Sequence, residues 1–184
     1  MKHFKNFKTC VYCTAQTLAS LDETTLARDY AYLEKYVGID KVYLETYRDG
    51  TWVAIDHMKM IQNFFKKHGV EIAGGITTVT PPLEKDDVKR QRLFQTFCYS
   101  NEAMRTYLKK IVTYTAELFD EIILDDFFFT SCTCDDCLRE RSNLSWAEFR
   151  SKKMIDVAEN PVLKPAKLAN PSVKVTIKYP NWRE

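Results

Sequence analysis

Apolar side chains recur along this chain in two alternating rhythms. Residues 9–15 form a short β-branched and aromatic run, and residues 21–37 then repeat at helical spacing through Leu26, Tyr30, Leu33 and Val37. Asp22 stands before Glu23, Thr24 and Thr25 as an N-cap, and Gly38 sits where a helix C′ glycine belongs. The same strand-helix unit returns with a strand over 41–47, a polar loop at Arg48, Asp49 and Gly50, and a helix capped by Asp56 that stops at Gly69. A third strand over 70–79 leads into Pro81, Pro82 and a charged loop over 84–92, followed by a helix over 101–119 and a fourth strand over 121–129. A helix over Trp146–Val157, a loop over 160–171 and a fifth strand over 173–179 end the pattern.

Such alternation predicts an α/β fold with a parallel sheet. The strand ends decide between a doubly wound sheet and a barrel. Polar and aromatic residues gather after the C-terminal ends of strands two, four and five: Glu45 and Arg48, then Asp125 and Asp126, then Lys178, Asn181 and Trp182. Barrel enzymes keep their chemistry at that face. No glycine-rich phosphate fingerprint follows strand one, which disfavours a nucleotide-binding sheet. The sequence therefore reads as a single domain over residues 1–184, a parallel (β/α) barrel of TIM type, incomplete at about five βα units.

Composition narrows the function classes. The 184 residues are 45% hydrophobic and 28% charged, which is ordinary for one globular domain. Twenty-seven basic against 25 acidic side chains leave a net charge of +2, so no broad field invites a nucleic-acid backbone or an anionic bilayer. No run of about 18 apolar residues is present, and Lys2, Lys5 and Lys8 lead into no apolar signal segment. The expectation is a soluble protein without membrane or nucleic-acid partners, cytoplasmic or processed after secretion. Aromatic residues make up 13% of the chain and suit both a core and a sugar-stacking mouth.

Cys132, Cys134 and Cys137 form a C-x-C-x-x-C cluster directly after strand four. A short loop lets such thiolates converge on one tetrahedral ion, and Cys98 is the natural fourth ligand, because neighbouring parallel strands bring the loops after strands three and four together. Four cysteines leave no open position, so a zinc ion held there is structural. Cys10 and Cys13 lie three apart on a strand, where they face opposite ways, and read as buried core thiols.

The stretch Leu124-Asp125-Asp126-Phe127-Phe128-Phe129-Thr130-Ser131-Cys132-Thr133-Cys134-Asp135-Asp136-Cys137, with Trp146, Phe149 and Arg150 beyond it, resembles the strand-four region of family 42 β-galactosidases. In that family a polar pair at the strand end precedes C-x-C-x-x-C, and an upstream cysteine completes a structural zinc site. The resemblance implies a barrel of glycoside hydrolase type with zinc on Cys98, Cys132, Cys134 and Cys137. The family's pair is Asn-Glu, with Glu as acid/base, whereas this chain has Asp125-Asp126. Other barrel glycosidases use an aspartate there as nucleophile, so the sugar specificity does not transfer.

Strand alternation puts Ile122, Leu124 and Asp126 on one face and Ile123, Asp125 and Phe127 on the other, with both aspartates able to reach the mouth where the strand ends. Adjacent carboxylates repel, which suits one of them to general acid work; a cap or support for the cysteine hairpin is the alternative. Glu45 shares its strand face with Tyr43 and Tyr47 and is expected to point inward, where Arg48 either pairs with it or binds a substrate hydroxyl or carboxylate. Lys178, Tyr179, Asn181 and Trp182 at the end of strand five are substrate-binding candidates. His3, His57 and His68 have no convincing partners.

Asp125, Asp126 and Glu45 are thus the candidate catalytic groups of a carbohydrate-active barrel. Glycosidases pair two carboxyl groups, and the second often comes from later strands. The chain alone is expected to show little activity, and the alternative function is a non-catalytic carbohydrate-binding or assembly module on a truncated barrel. A homodimer or a remaining barrel segment would then cover the open edge. A zinc-dependent nucleic-acid module is disfavoured by Asp135, Asp136 and Glu140 beside the cysteines.

Overall fold

The computed structural model describes residues 4–79 and 94–178. The charged loop over 84–92, and with it Tyr179, Asn181 and Trp182, lie outside the described residues.

Strand β1 (Cys10–Cys13) runs into α1 (Ala15–Ser20), a short helix that the strand expected over 9–15 had concealed. Thr14 causes the switch, since its side chain accepts from Thr17 N and caps α1. Helix α2 (Glu23–Tyr36) starts at Asp22 in a full capping box with Thr25, and Gly38 follows at φ 72°. Strand β2 spans Lys41–Arg48, so Arg48 belongs to the strand rather than to a loop. Asp49 and Gly50, both at positive φ, form the two-residue turn to β3 (Thr51–Trp52), the hairpin geometry that an Asp-Gly pair favours. Helix α3 (Ile55–Lys67) has Ala54 at its N-cap; Asp56 stands inside the first turn instead of capping it.

Beyond β4 (Glu71–Ile76) come α4 (Glu102–Leu118), capped by Asn101, and β5 (Glu121–Leu124), which is shorter than expected because the chain turns at Asp125. Helices α5 (Asp135–Arg141) and α6 (Trp146–Val157) follow. The stretch expected as a loop over 160–171 is largely helical: a π-helical segment over Ala158–Leu163 runs into α7 (Lys164–Ala169). Pro161 lacks the N–H that an α-turn needs, and the widened turn takes it in while burying it. Strand β6 (Lys174–Ile177) completes the described sheet.

Six strands form that sheet, and its parallel members lie side by side in chain order, β1-β2-β4-β5-β6, with β3 hydrogen-bonded antiparallel to β2. A doubly wound sheet reverses its order at a switch point; a barrel wall does not. The architecture is an α/β fold consistent with an incomplete TIM-like barrel. The core lies between sheet and helices, where Val42, Leu44, Ile76, Ile122 and Leu124 meet Leu18, Met58, Ile61, Leu108, Ile111 and Val112. A Cβ on Gly74 would come within 2.7 Å of Thr115 and Phe119, so the bare backbone there sets how closely α4 approaches.

Two expectations about side-chain direction are corrected. Between Glu45 and Tyr47 the register with β4 slips at a bulge, and Tyr47 leaves the face it would share with Tyr43. It is fully buried among Trp52, Phe97 and Tyr107, at centroid distances of 5.2, 6.3 and 5.6 Å. Cys10, expected in the core, is exposed, because β1 pairs only with β2 among the described residues. Cys13 is half-buried, and burial raises its thiol to about 11.

Candidate functional site

At the C-terminal ends of the parallel strands, charged side chains from three of them converge. Glu45 on β2 is fully buried and meets five donor contacts. Tyr12 OH donates to Oε1 at 2.8 Å, the Ala15 backbone N–H to Oε2 at 2.7 Å, and Arg48 Nε to both oxygens at 3.1 and 2.9 Å. The hydroxyl of Thr77 supplies a further short bond. On β4, Gly75 lies in register with Glu45, and a Cβ there would stand 2.7 Å from Tyr12 OH. Burial, and then the neighbouring Glu45 charge, push the Tyr12 phenol far above its ordinary value, so it stays a donor.

The other end of the guanidinium faces the turn after β5. Arg48 Nη2 lies 3.6 Å from Asp125 Oδ2, and Phe127 stacks beneath the guanidinium with its centroid 5.5 Å away. Lys178, just past β6, places its ammonium 3.0 Å from Asp125 Oδ1 and 3.3 Å from Asp126 Oδ2. Asp125 is the more enclosed of the two, its side chain 13% exposed against 38% for Asp126. Bonding to Asp125 raises Lys178 above its ordinary value; for Arg48, burial opposes the charge but Glu45 outweighs it and the net shift is upward. Toward the N-terminal ends of the same strands, Lys41 of β2 pairs with Glu121 of β5 at 2.5 Å.

Glu45, Arg48, Asp125, Asp126 and Lys178 are therefore brought into one network. Sequence reasoning missed Tyr12, Thr77 and Phe127. Tyr12 had a signal: β1 and β2 pair in parallel, and it lies in register with Tyr43. Thr77 had none, since a threonine after a strand is common. His57 and His68 each spend a ring nitrogen on a backbone carbonyl, of Leu18 and Phe64.

Beside this network the four cysteines expected to share a metal come together, with all their Sγ atoms within 4.8 Å of one another. Cys98 lies 3.6 Å from Cys134 and 3.7 Å from Cys137, and Cys134 lies 3.8 Å from Cys137. A tetrahedron of sulfurs about 2.3 Å from a central ion has edges of about 3.8 Å, so the donor set fits a tetrahedral thiophilic metal. Cys134 stands at the N-cap position of α5 and Cys137 sits one turn in, with their thiols 3.8 Å apart. Hydrogen bonds from Cys137 and Cys98 hold the Cys132 thiol well below the ordinary thiol range. Ser100 Oγ is 3.3 Å from Cys137 Sγ, and Phe149 and Trp146 wall the cluster off, with Arg141 over the Trp146 ring at 4.9 Å.

Across residues 1–184 the chain matches the family described as "Probable glycosyl hydrolase, catalytic domain". It belongs to that family. A similar protein is an uncharacterized protein of Saccharolobus solfataricus, 33% identical over 204 aligned positions that take in 98% of this chain. The alignment takes in 33% of that relative, so this glycosyl hydrolase domain spans about a third of the relative's length.

Proposed function

We propose that this domain acts on carbohydrate, and that the protein containing it hydrolyses glycosidic bonds at the strand-end network. What carries the reading is the placement of Asp125 and Asp126, which share the Lys178 ammonium on a turn beside Arg48, in a glycosyl hydrolase catalytic domain. One of the two aspartates serves as the acid/base or nucleophile, and a second carboxylate completes the pair that glycoside cleavage needs. Asp126, the more open, is the better placed to meet a sugar. Glu45, enclosed by donors, contributes by holding Arg48 at the mouth. Arg48 and Lys178 bind substrate hydroxyls, together with Tyr179, Asn181 and Trp182, and Phe127 offers a stacking face.

In the same reading the four cysteines hold one structural zinc. The tetrahedral spacing of their sulfurs and the likeness of the C-x-C-x-x-C run to family 42 β-galactosidases support it. Bound there, zinc would fasten the loop after β4 to the segment after β5 and leave no position for catalytic water.

Titrating the protein with a panel of mono- and disaccharides while following backbone amide NMR signals tests the carbohydrate site. Shifts confined to Arg48, Asp125–Phe127, Lys178, Tyr179, Asn181 and Trp182, and lost in Arg48→Ala, are expected. Saturable shifts elsewhere on the molecule, or none with any sugar in the panel, would overturn the assignment.

A further inference from the structure

A file of buried hydroxyls runs between the cysteine cluster and the acidic turn. Tyr99, next in sequence to Cys98, is fully buried and donates its phenol proton to Thr78 Oγ1 at 3.2 Å. Thr78, also buried, donates its own proton to the Phe127 carbonyl at 2.8 Å. Phe127 follows Asp126 inside a turn closed by the Phe128 N–H on the Asp125 carbonyl at 3.2 Å. The Tyr99 ring packs against Phe128 with centroids 5.8 Å apart, and the Phe97 N–H donates to the Thr78 carbonyl at 3.1 Å.

Each hydroxyl has one proton, so the direction is settled: Tyr99 gives to Thr78, and Thr78 gives to Phe127. The turn is thereby tied to the cysteines twice. Along the chain, the short run from Asp126 to Cys132 ends in one thiol of the cluster. Sideways, Tyr99 and Thr78 lead back to Cys98, another of its thiols. The bond between Tyr99 and Thr78 is fully buried and has no water to replace it when broken, so loss of either hydroxyl leaves the other short of a partner.

We propose that Tyr99 and Thr78 are positioning residues that pass the order of the metal-holding cysteine cluster to the turn bearing Asp125 and Asp126. The inference rests on the zinc reading above. Neither residue touches substrate; both act by fixing the Phe127 carbonyl, and with it the two carboxylates that precede it.

Amide hydrogen exchange at Asp125 and Phe128 tests this, because both N–H groups are hydrogen-bonded in the fold, to Ile76 and Asp125 carbonyls. Zinc content is measured on the same samples. Tyr99→Phe and Thr78→Val should each speed exchange at these two amides by about three- to tenfold, the equilibrium worth of one buried hydrogen bond. Zinc content and exchange in α2 should not change, and Thr78→Ser should restore the wild-type rate. Stripping zinc with a chelator should speed the same amides. Unchanged exchange in both variants with zinc retained, or unchanged exchange after zinc is stripped, overturns the proposal. A purified protein that takes up no zinc overturns the metal reading instead, and the two failures are told apart by the zinc measurement.

Discussion

Arg48 Nε lies 3.1 and 2.9 Å from the two carboxylate oxygens of Glu45, three residues earlier on the same strand, and this pair anchors the mouth of the sheet. Glu45 is fully buried and accepts in addition from Tyr12, Ala15 and Thr77. Removing it strands a half-buried guanidinium and three further donors.

Glu45→Ala should therefore lower unfolding stability by about 3–5 kcal/mol, as for one partner lost from a buried ion pair. Glu45→Gln keeps the shape and acceptor capacity on one oxygen and should cost less. Urea denaturation of the three proteins checks the order. Equal stability of wild type and Glu45→Ala would mean that the network is not formed.

The link between α4 and α6 gives a pH dependence. Asp156 is partly buried, which alone would raise its carboxyl, but hydrogen bonds from Arg105, at 2.6 Å, and Asn160 bring it below the ordinary value of 3.8. A depressed folded-state value contributes stability that is present above the free-carboxylate value and is lost as pH falls through the lower value held in the fold. Asp156→Asn should be less stable than wild type near neutrality, and the gap should close on acidification below 3.8. Chemical denaturation at a series of pH values measures it; a gap that widens on acidification contradicts the assignment.

The cysteine cluster predicts about one tightly held zinc per chain. Elemental analysis of protein purified under reducing conditions should find it, and Cys132→Ser should release it. Finding no metal in protein purified under reducing conditions, with all six cysteines reacting freely with a thiol reagent, would contradict this.

Much of the scaffold was legible from periodicity. Five parallel strands and the long helices between them follow from apolar spacing, and caps such as Asp22 and Asn101 mark helix starts locally. The cysteine cluster was legible because three of its thiols lie close together in sequence and parallel neighbours bring Cys98 beside them. Departures from regularity were not. At the bulge the Thr46 hydroxyl lies 2.6 Å from Thr115 Oγ1 on α4, a contact no local pattern encodes. Pro161 reads as a helix breaker, and only burial of the π-helical turn against its neighbours makes it helical. The donors around Glu45 come from three separate segments, and their convergence belongs to tertiary packing.

Glycosidic chemistry at the turn carrying Asp125 and Asp126 is read out by hydrolysis of aryl glycosides. Asp126, its side chain 38% exposed, stands in contact with water in this domain, where a charge stabilises a transition state poorly. The 184-residue chain should therefore stay near background, while the longest expressed product containing it turns over at least one glycoside of a broad panel. In that product Asp125→Asn or Asp126→Asn should cut the rate by about 10²- to 10⁴-fold, the usual worth of a positioned acid or base. Turnover that survives both substitutions would mean that the two aspartates do not carry the reaction.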